Sequence, residues 1–337
     1  MHEPSGSLSS FLEKRISTAS RSSLRQSVIP TLLHSITSVA TCLRTTSSIQ
    51  QAGSTNTSGD NQLNVDLATN EAIHSAIRMC PAIVTASSEE DEGENSVKHE
   101  STISTNGEIQ ERYSVAFDPL DGSSIVGANW TVGTIIGIWD GVTALNQNPR
   151  EKQIAAILGV LGPRITAIVA IRLPEGGESI CFEVALGDNG KDEIQILRSN
   201  VCFSSIREGM TRYFAPANLR AASHFPAYAT LINHFISHQY TLRYSGGLVP
   251  DVVHALVKGH GIYVSPVTTK SKAKLRRLYE LTPIALIMEC AGGRAVDPDS
   301  GKDILAITIT SVDDKSGLVC GTEEEVNTVM NILLTES

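Results

Sequence analysis

The sequence lacks the features that would place it among membrane or nucleic-acid-binding proteins. No apolar run approaches the ~20 residues that a helix needs to cross a bilayer, so we expect no membrane partner. Basic residues are in deficit, with 27 Lys and Arg against 36 Asp and Glu and a formal net charge of −9. Because nucleic-acid affinity depends on a basic face that neutralises phosphates, we expect no nucleic-acid partner either.

Cysteine pairs are also absent. The six cysteines include no C-x-x-C pair, which indicates neither a zinc site nor a disulfide framework and favours a reducing, cytoplasmic location. The serine-rich first 27 residues contain four Lys or Arg residues, so an organellar transit peptide is a second interpretation. The same segment could instead begin an ordinary amphipathic helix, since Leu8, Phe11, Leu12 and Ile16 recur at helical spacing. We treat residues 1–22 as an N-terminal arm.

Apolar periodicity predicts helices and strands along the rest of the chain. We expect helices over residues 24–43, 65–79, 228–238 and 283–291, and others beginning at 250 and 322. We expect strands over residues 82–86, 113–117, 131–139, 154–171, 194–197, 241–244, 261–264 and 318–320. Polar stretches at 51–60 and 91–111 are predicted to be loops. Strands and helices mixed in this way predict a layered α/β (α+β) fold.

Acidic residues cluster where predicted elements begin or end. Asp66 opens a helix, Glu89 and Glu90 leave a buried strand, and Asp118 and Asp121 follow the next strand. Hard divalent cations such as Mg²⁺ bind several oxygen ligands, and two of them close together suit phosphoryl displacement. Carboxylates converging from strand ends would build such a site. An acidic run such as 89–94 is equally typical of a solvated loop.

The string Asp118-Pro-Leu-Asp121-Gly122-Ser123-Ser124 is the most informative segment. We predict that its proline fixes a turn and that the two carboxylates face one side. Glycine lets the backbone approach an anion, and the amides of Ser123 and Ser124 can contact phosphate oxygens. The segment therefore predicts a site that combines metal ligands with a phosphate contact.

These segments resemble the fructose-1,6-bisphosphatase and sedoheptulose-1,7-bisphosphatase family. The similarity rests on FDPLDGSS, with SSEED upstream and KLRRLYE downstream, and it extends from about residue 51 to the C-terminus. Asp66 precedes Glu89 by 23 residues, as in the family pattern. The segments NWTVGTIIGIW, APANLRA and TLRYSGGLVPDV are closer to the sedoheptulose branch. The resemblance implies a sugar-phosphatase fold of alternating helix and mixed-sheet layers.

The resemblance also implies a metal site and catalytic groups. Two or three Mg²⁺ ions (or Mn²⁺) are expected to bind Glu89, Glu90, Asp118, the Leu120 carbonyl, Asp121 and Glu280. Asp66 and Glu90 match positions that activate the attacking water, and Asp60 matches an acid on a mobile loop over the metals. From chemistry alone, a carboxylate such as Glu90, with Asp66, suits the orientation or deprotonation of that water.

Further matches concern the rest of the substrate. The positions expected to contact it are Asp121, Gly122, Ser123, Ser124, Asn218, Arg243, Tyr244, Gly246, Leu248 and Lys274. Among these, Asn218, Arg243, Tyr244 and Lys274 match contacts to the distal phosphate, with Arg243 reaching in from a neighbouring subunit of a homodimer or homotetramer. Residues 23–200 would form the metal and catalytic half, and residues 201–337 the sugar and distal-phosphate half.

We predict Mg²⁺-dependent hydrolysis of the 1-phosphate of a ketose bisphosphate, with sedoheptulose 1,7-bisphosphate as the first choice of substrate. Ser265, where fructose enzymes of the family carry a tyrosine, widens the pocket and suits the longer sugar. The alternatives are a gluconeogenic fructose-1,6-bisphosphatase, an inositol-phosphate-type phosphatase and a catalytically silent regulatory homologue. Plastid relatives carry a regulatory cysteine pair near residue 51, and this chain has none there, so thioredoxin control through that pair is not expected.

Overall fold

The computed structural model describes residues 7–16, 21–55, 61–99, 111–187 and 194–335. The helices, numbered in chain order, are α1 (Leu8–Arg15), α2 (Ile29–Thr45), α3 (Asn64–Arg78), α4 (Ser123–Val126), α5 (Pro149–Lys152), α6 (Pro226–Ser237), α7 (Leu248–Lys258), α8 (Thr282–Cys290) and α9 (Glu323–Thr335). Single π-helical turns, Leu24–Val28 and Arg277–Leu281, lead directly into α2 and α8. None of the described helices is both long and apolar enough to cross a membrane.

The strands assemble into two main sheets and two small ribbons. In chain order they are β1 (Gln51–Thr55), β2 (Asn61–Leu63), β3 (Ile83–Ser88), β4 (Asn95–Ser96), β5 (Tyr113–Asp121), β6 (Val132–Asp140), β7 (Gln153–Leu161), β8 (Ile165–Ile171), β9 (Ile180–Ala185), β10 (Gln195–Arg198), β11 (Tyr213–Pro216), β12 (Thr241–Leu242), β13 (Ile262–Ser265), β14 (Leu275–Arg276), β15 (Arg294–Val296), β16 (Lys315–Ser316) and β17 (Leu318–Gly321). The eight-stranded sheet has the order β10-β9-β8-β7-β6-β5-β3-β4, and the five-stranded sheet has the order β12-β11-β13-β17-β15.

Helices cover both faces of each main sheet, which gives five layers. Helices α2 and α3 pack on one face of the eight-stranded sheet through a core that includes Leu32, Ile73 and Phe117. Helices α7 and α8 lie between the two sheets, and α6 and α9 cover the far face of the five-stranded sheet. Because the long strands of the eight-stranded sheet are buried on both faces, they are almost continuously apolar. This arrangement confirms the layered fold predicted from the sequence.

Most predicted elements are present, and the differences lie where tertiary contacts outweigh local signals. Residues 51–55, predicted as part of a polar loop, form the exposed strand β1, which pairs with β2. Residues 95–96 in the second predicted loop form β4, and residues 100–110 lie outside the described residues. The amphipathic-helix interpretation of the N-terminal segment agrees with α1, in which Leu8 and Leu12 are buried and the Phe11 ring packs at a tilt against Phe182. The boundaries of the two proposed halves remain a prediction.

One close approach between α7 and the large sheet gives a stability prediction. Gly133 of β6 faces α7, and a Cβ atom at this position would lie 2.4 Å from the Cβ of Val249. Since both main chains are fixed in packed layers, Gly133→Ala is expected to lower the free energy of unfolding by about 1–3 kcal/mol. Chemical denaturation measures this change.

Gly127→Ala is the matched control for this experiment. Gly127 has φ of −63°, and a Cβ there would meet no atom within 4 Å. The alanine should therefore be neutral or slightly stabilising, because it restricts the unfolded chain without strain. Equal effects of the two substitutions would contradict the packing argument.

Candidate active site

The predicted turn at Asp118–Asp121 is instead the end of strand β5, interrupted by a bulge. Asp118 pairs with Ile135 and Asp121 with Gly133, so β5 uses one more residue than β6 over this interval. Without the extra residue, side chains three apart would point to opposite faces of the sheet. The bulge restores the parity and lets both carboxylates face one side, as the sequence predicted. Pro119 suits the bulge because it needs no ladder partner for an N–H.

Local hydrogen bonds fix this bulge. The Asp118 carboxylate accepts the Leu120 N–H at 2.9 Å, and the Thr134 hydroxyl donates to the Pro119 carbonyl at 3.0 Å. Gly122 follows with φ of +91°, a conformation that favours glycine. The chain then enters α4, which begins with Ser123 and Ser124.

A third carboxylate reaches the bulge from a distant part of the chain. Glu280 lies in the π-helical turn before α8 and brings a carboxylate oxygen within 4.8 Å of oxygens of both Asp118 and Asp121. All three residues are at least nine-tenths buried. The structure therefore joins the predicted ligands Asp118, Asp121 and Glu280 in one cluster.

Burial and mutual repulsion make the ionised form of this cluster costly. Burial raises the pKa of Asp118 well above its ordinary value, and Glu89, Glu280 and Asp121 add repulsion. Burial likewise raises the pKa of Glu280, again with repulsion from Glu89. The pKa of Asp121 rises to about 6, because burial outweighs hydrogen bonds from two amides of α7. Closely spaced buried carboxylates cannot all ionise without a compensating cation.

Glu89 lies beside this cluster and has a protein cation as its partner. The buried Arg276 guanidinium pairs with the Glu89 carboxylate at 3.2 Å and donates to the Glu89 carbonyl at 2.9 Å. The main-chain N–H of Arg276 also donates to the Glu280 carboxylate at 2.5 Å. Arg276 therefore connects two predicted metal ligands. It lies inside the KLRRLYE segment, but nothing in the sequence pattern alone distinguished it from its neighbour Arg277.

Glu90 and Asp66 form a second acidic pair next to the cluster. The Glu90 carboxylate accepts a hydrogen bond from the Gln62 amide at 2.5 Å, and the Asp66 carboxylate accepts the Leu63 N–H at 2.7 Å. Burial raises the pKa of Asp66 to about 6; the Leu63 hydrogen bond opposes this shift and the Glu90 charge adds to it. Asp60, the predicted loop acid, lies outside the described residues.

A cavity of about 350 Å³ opens over these groups. The predicted residues that line it are Glu89, Glu90, Asp118, Leu120, Asp121, Gly122, Ser123, Ser124, Gly246, Lys274 and Glu280. We call it the carboxylate cavity. Asp66 is not part of this lining, but its carboxylate is near enough to Glu90 for the two charges to repel. Lys315 of β16 also lines this cavity and was missed, because no motif surrounds it; it arrives through the pairing of β16 with β14.

A larger cavity of about 980 Å³ adjoins the first, and we call it the cationic cavity. Ser124, Gly246, Lys274 and Leu275 line both cavities. The described lining includes no carboxylate and contributes Arg220, His224, Lys270, Lys272 and Lys274. The predicted residues Asn218 and Tyr244, as well as Ser265, lie in the same wall. An acidic compartment thus opens directly onto a basic one.

Two predicted substrate contacts lie elsewhere. Arg243 lines a separate surface cavity with Arg164 and His254, and Tyr244 belongs to both that cavity and the cationic one. The Leu248 side chain is buried between the sheets, so its described contact with the site is through its N–H, which donates to Asp121 at 3.1 Å. Within one chain, the structure does not bring Arg243 together with Lys274.

The carboxylate cluster could hold a metal ion. Its donor set is made of carboxylate oxygens, the ligands that hard divalent cations prefer. Burial and then mutual repulsion raise the pKa of Asp118 and of Glu280, and a bound cation would oppose both effects. The residues present therefore fit a divalent cation.

Comparisons with known proteins cover nearly the whole chain. The family model for the N-terminal domain of fructose-1-6-bisphosphatase matches residues 11–189, and the model for its C-terminal domain matches residues 207–334. The first of these alone spans more than half of the chain.

Curated relatives include both branches of this family. Chloroplastic sedoheptulose-1,7-bisphosphatase from Spinacia oleracea is 37% identical over 271 residues, and class 1 fructose-1,6-bisphosphatase from Geobacter sulfurreducens is 32% identical over 284. These matches cover 80% and 84% of this chain and 64% and 82% of the relatives. The chain therefore spans less than two thirds of the spinach protein. The higher identity to the sedoheptulose branch confirms the similarity predicted from the sequence.

Solved structures agree with this relationship. A protein from Toxoplasma gondii named as a sedoheptulose-1,7 bisphosphatase has a TM-score of 0.83 and 32% identity, covering 98% of this chain and 99% of that one. Leishmania major fructose-1,6-bisphosphatase has a TM-score of 0.80 with coverage of 98% and 99%. At 23% identity, the second similarity shows the fold alone.

Proposed function

Because the chain belongs to the fructose-1,6-bisphosphatase family, we propose that it hydrolyses the 1-phosphate of a ketose bisphosphate with Mg²⁺ as cofactor. The observation that supports this proposal most directly is the buried cluster of Asp118, Asp121 and Glu280 at the junction with a basic cavity. The two ends of a sugar bisphosphate need these two environments, a metal-assisted reacting end and a cationic anchor.

The metal ligands are proposed to be Asp118, Asp121, Glu280, Glu89, Glu90 and the Leu120 carbonyl. Two or three Mg²⁺ ions, or Mn²⁺ in their place, would neutralise phosphate charge and make water a better nucleophile. Glu90 accepts a proton from the attacking water, and the Asp66 carboxylate supplies a second negative charge close to Glu90. Gln62 fixes the orientation of the Glu90 carboxylate. Most of the catalytic effect comes from positioning and charge stabilisation, because the transition state of phosphoryl transfer is loose.

The chain's own groups bind the rest of the substrate. Main-chain amides of Ser123 and Ser124 contact the reacting phosphate, next to the positive-φ Gly122. Lys274 and Asn218 bind the distal phosphate in the cationic cavity, and Tyr244 lies on its edge. Arg243 faces a different cavity of its own chain, which supports the proposal that it serves a neighbouring subunit in a homodimer or homotetramer.

Sedoheptulose 1,7-bisphosphate is the proposed substrate, and fructose 1,6-bisphosphate is the second candidate. The large cationic cavity and Ser265 in its wall favour the longer sugar. Phosphate release from each sugar, with Mg²⁺ and with EDTA, tests the assignment. We expect metal-dependent release that is faster with the seven-carbon sugar. A higher rate with fructose 1,6-bisphosphate would instead support the gluconeogenic alternative, and no release from either sugar would contradict the function.

A silent regulatory homologue is the non-enzyme alternative, and the same assay distinguishes it.

We further propose that the protein acts in the cytoplasm, with an organelle as the alternative location. A fluorescent fusion of the full-length protein tests this point. Analytical ultracentrifugation tests the proposed oligomer.

A further inference from the structure

A turn of the chain forms part of the wall that the carboxylate cavity and the cationic cavity share. Residues 243–247 connect β12 to α7, and Gly246 lines both the carboxylate cavity and the cationic cavity. Gly246 has φ of +97°, in the left-handed region that favours glycine. Any displacement of this turn would change the shape of the path between the reacting end and the distal end of a bound sugar bisphosphate.

A buried carboxylate outside the carboxylate cluster fixes this turn. Asp251, in the first turn of α7, is only 6% exposed. One of its oxygens accepts the Ser245 N–H at 2.6 Å, and the other accepts the Gly246 N–H at 3.2 Å. The Ser245 hydroxyl in turn accepts the Gly247 N–H at 3.2 Å. Three successive amides of the turn are thus held by side chains.

The next two amides are held by Asp121, a member of the carboxylate cluster. The Asp121 carboxylate accepts the N–H groups of Leu248 and Val249 at 3.1 and 2.6 Å. The main chain of residues 245–249 therefore donates hydrogen bonds to two carboxylates, those of Asp251 in α7 and of Asp121 in the carboxylate cavity. Both acids lie near the N-terminus of α7, where the helix dipole favours negative charge.

We propose that Asp251 is a positioning residue for substrate binding, which fixes the Gly246 turn so that the carboxylate and cationic cavities are held at one separation. This inference rests on the proposed function and extends it to a residue that acts through another. Asp251 acts on ground-state binding rather than on the chemical step, because the amides that bind it, of Ser245 and Gly246, are not the amides that bind Asp121 in the carboxylate cluster.

Asp251→Asn tests the proposal in the full-length protein. The amide keeps one acceptor oxygen but turns an NH₂ group toward the second backbone N–H. We expect KM for sedoheptulose 1,7-bisphosphate to rise about tenfold, because a turn that has lost one hydrogen bond to a charged group must be ordered again when the substrate binds. The value of kcat should stay within about threefold. An unchanged KM, or a loss confined to kcat, would overturn the proposal.

Glu325→Gln is the matched control. Glu325 is equally buried and binds Arg212 and Tyr240 on the far side of the five-stranded sheet. Its substitution should lower thermal stability and leave KM unchanged, so a merely structural effect is distinguished from a positioning effect. If Asp251→Asn does not fold, Gly246→Ala perturbs the same turn directly, since alanine is strained at this φ. An unchanged KM in that variant would overturn the proposal as well.

Equilibrium binding separates this inference from the proposed function. Calorimetric titration of each bisphosphate in EDTA measures Kd without turnover. If the wild-type chain binds but does not hydrolyse, and Asp251→Asn raises Kd about tenfold, the proposed function fails and the positioning role stands. If the wild-type chain binds and Asp251→Asn has the same Kd, the positioning role is excluded whatever the activity.

Discussion

Asp118→Asn is expected to lower kcat by about 10²–10³-fold and, in EDTA at pH 7.5, to make the protein more stable than the wild type. The first effect follows from the loss of one charged group that, in the proposed function, positions the cation and thereby stabilises the transition state. The second follows from electrostatics, because the wild-type Asp118 carboxylate is buried and repelled by Glu89, Glu280 and Asp121. The asparagine oxygen can still accept the Leu120 N–H.

The stability effect depends on pH with a definite sign. Burial raises the pKa of Asp118 in the folded chain, so the folded chain retains a proton that the unfolded chain releases above about pH 4. The free energy of unfolding of the metal-free protein should therefore fall as pH rises above 4. Asp66 and Asp121, with pKa values of about 6, add to this decrease between about pH 4 and pH 6. The advantage of Asp118→Asn should vanish near pH 4.

Thermal unfolding at pH 4.0 and 7.5, each with EDTA and with Mg²⁺, measures these effects. Mg²⁺ should raise the Tm of the wild-type chain at pH 7.5, because ligands that bind only the folded state stabilise it. The increase should be much smaller in Asp118→Asn. Glu151→Gln removes an exposed acid in α5 and should reproduce the wild-type values. A less stable Asp118→Asn chain in EDTA at pH 7.5 would contradict the argument.

The chemistry of the site could be predicted from the sequence better than its geometry. Carboxylates at strand ends and the glycine and serines of the predicted phosphate contact are local signals, and the structure brings Asp118, Asp121 and Glu280 together. The means of convergence could not be predicted. A proline between two acids indicates a turn locally, whereas pairing with β6 extends β5 through it as a bulge.

The contacts that residues make with distant parts of the chain could not be predicted from the sequence either. Arg276 contacts Glu89 across 187 positions of sequence, and Asp121 accepts the Val249 N–H across 128. Such contacts depend on how α7 and α8 lie between the two sheets, which no local pattern specifies. Asp251 lies in the segment TLRYSGGLVPDV, but its proposed positioning role follows only from the two amides whose hydrogen bonds it accepts. The layered fold was predictable because its long apolar strands and amphipathic helices carry their own periodicity.

Glu90→Gln is expected to reduce kcat on the order of 10²–10⁴-fold at saturating Mg²⁺ and substrate, the range typical of a lost general base. A glutamine cannot take the proton of the attacking water. Its oxygen can still accept the hydrogen bond from Gln62, so the side chain keeps its place and the fold is preserved. Initial rates of phosphate release, with circular dichroism to check folding, measure the effect.

Glu92→Gln makes this test specific, because Glu92 belongs to the same acidic run but is exposed and does not line the carboxylate cavity. If the run were only a solvated loop, the two substitutions would have the same small effect on the rate. A large loss in Glu90→Gln alone would assign the proton transfer to Glu90. Equal rates in both variants and the wild type would instead show that hydrolysis does not depend on a carboxylate at position 90. Asp66 would then be the remaining acid of the Glu90 and Asp66 pair.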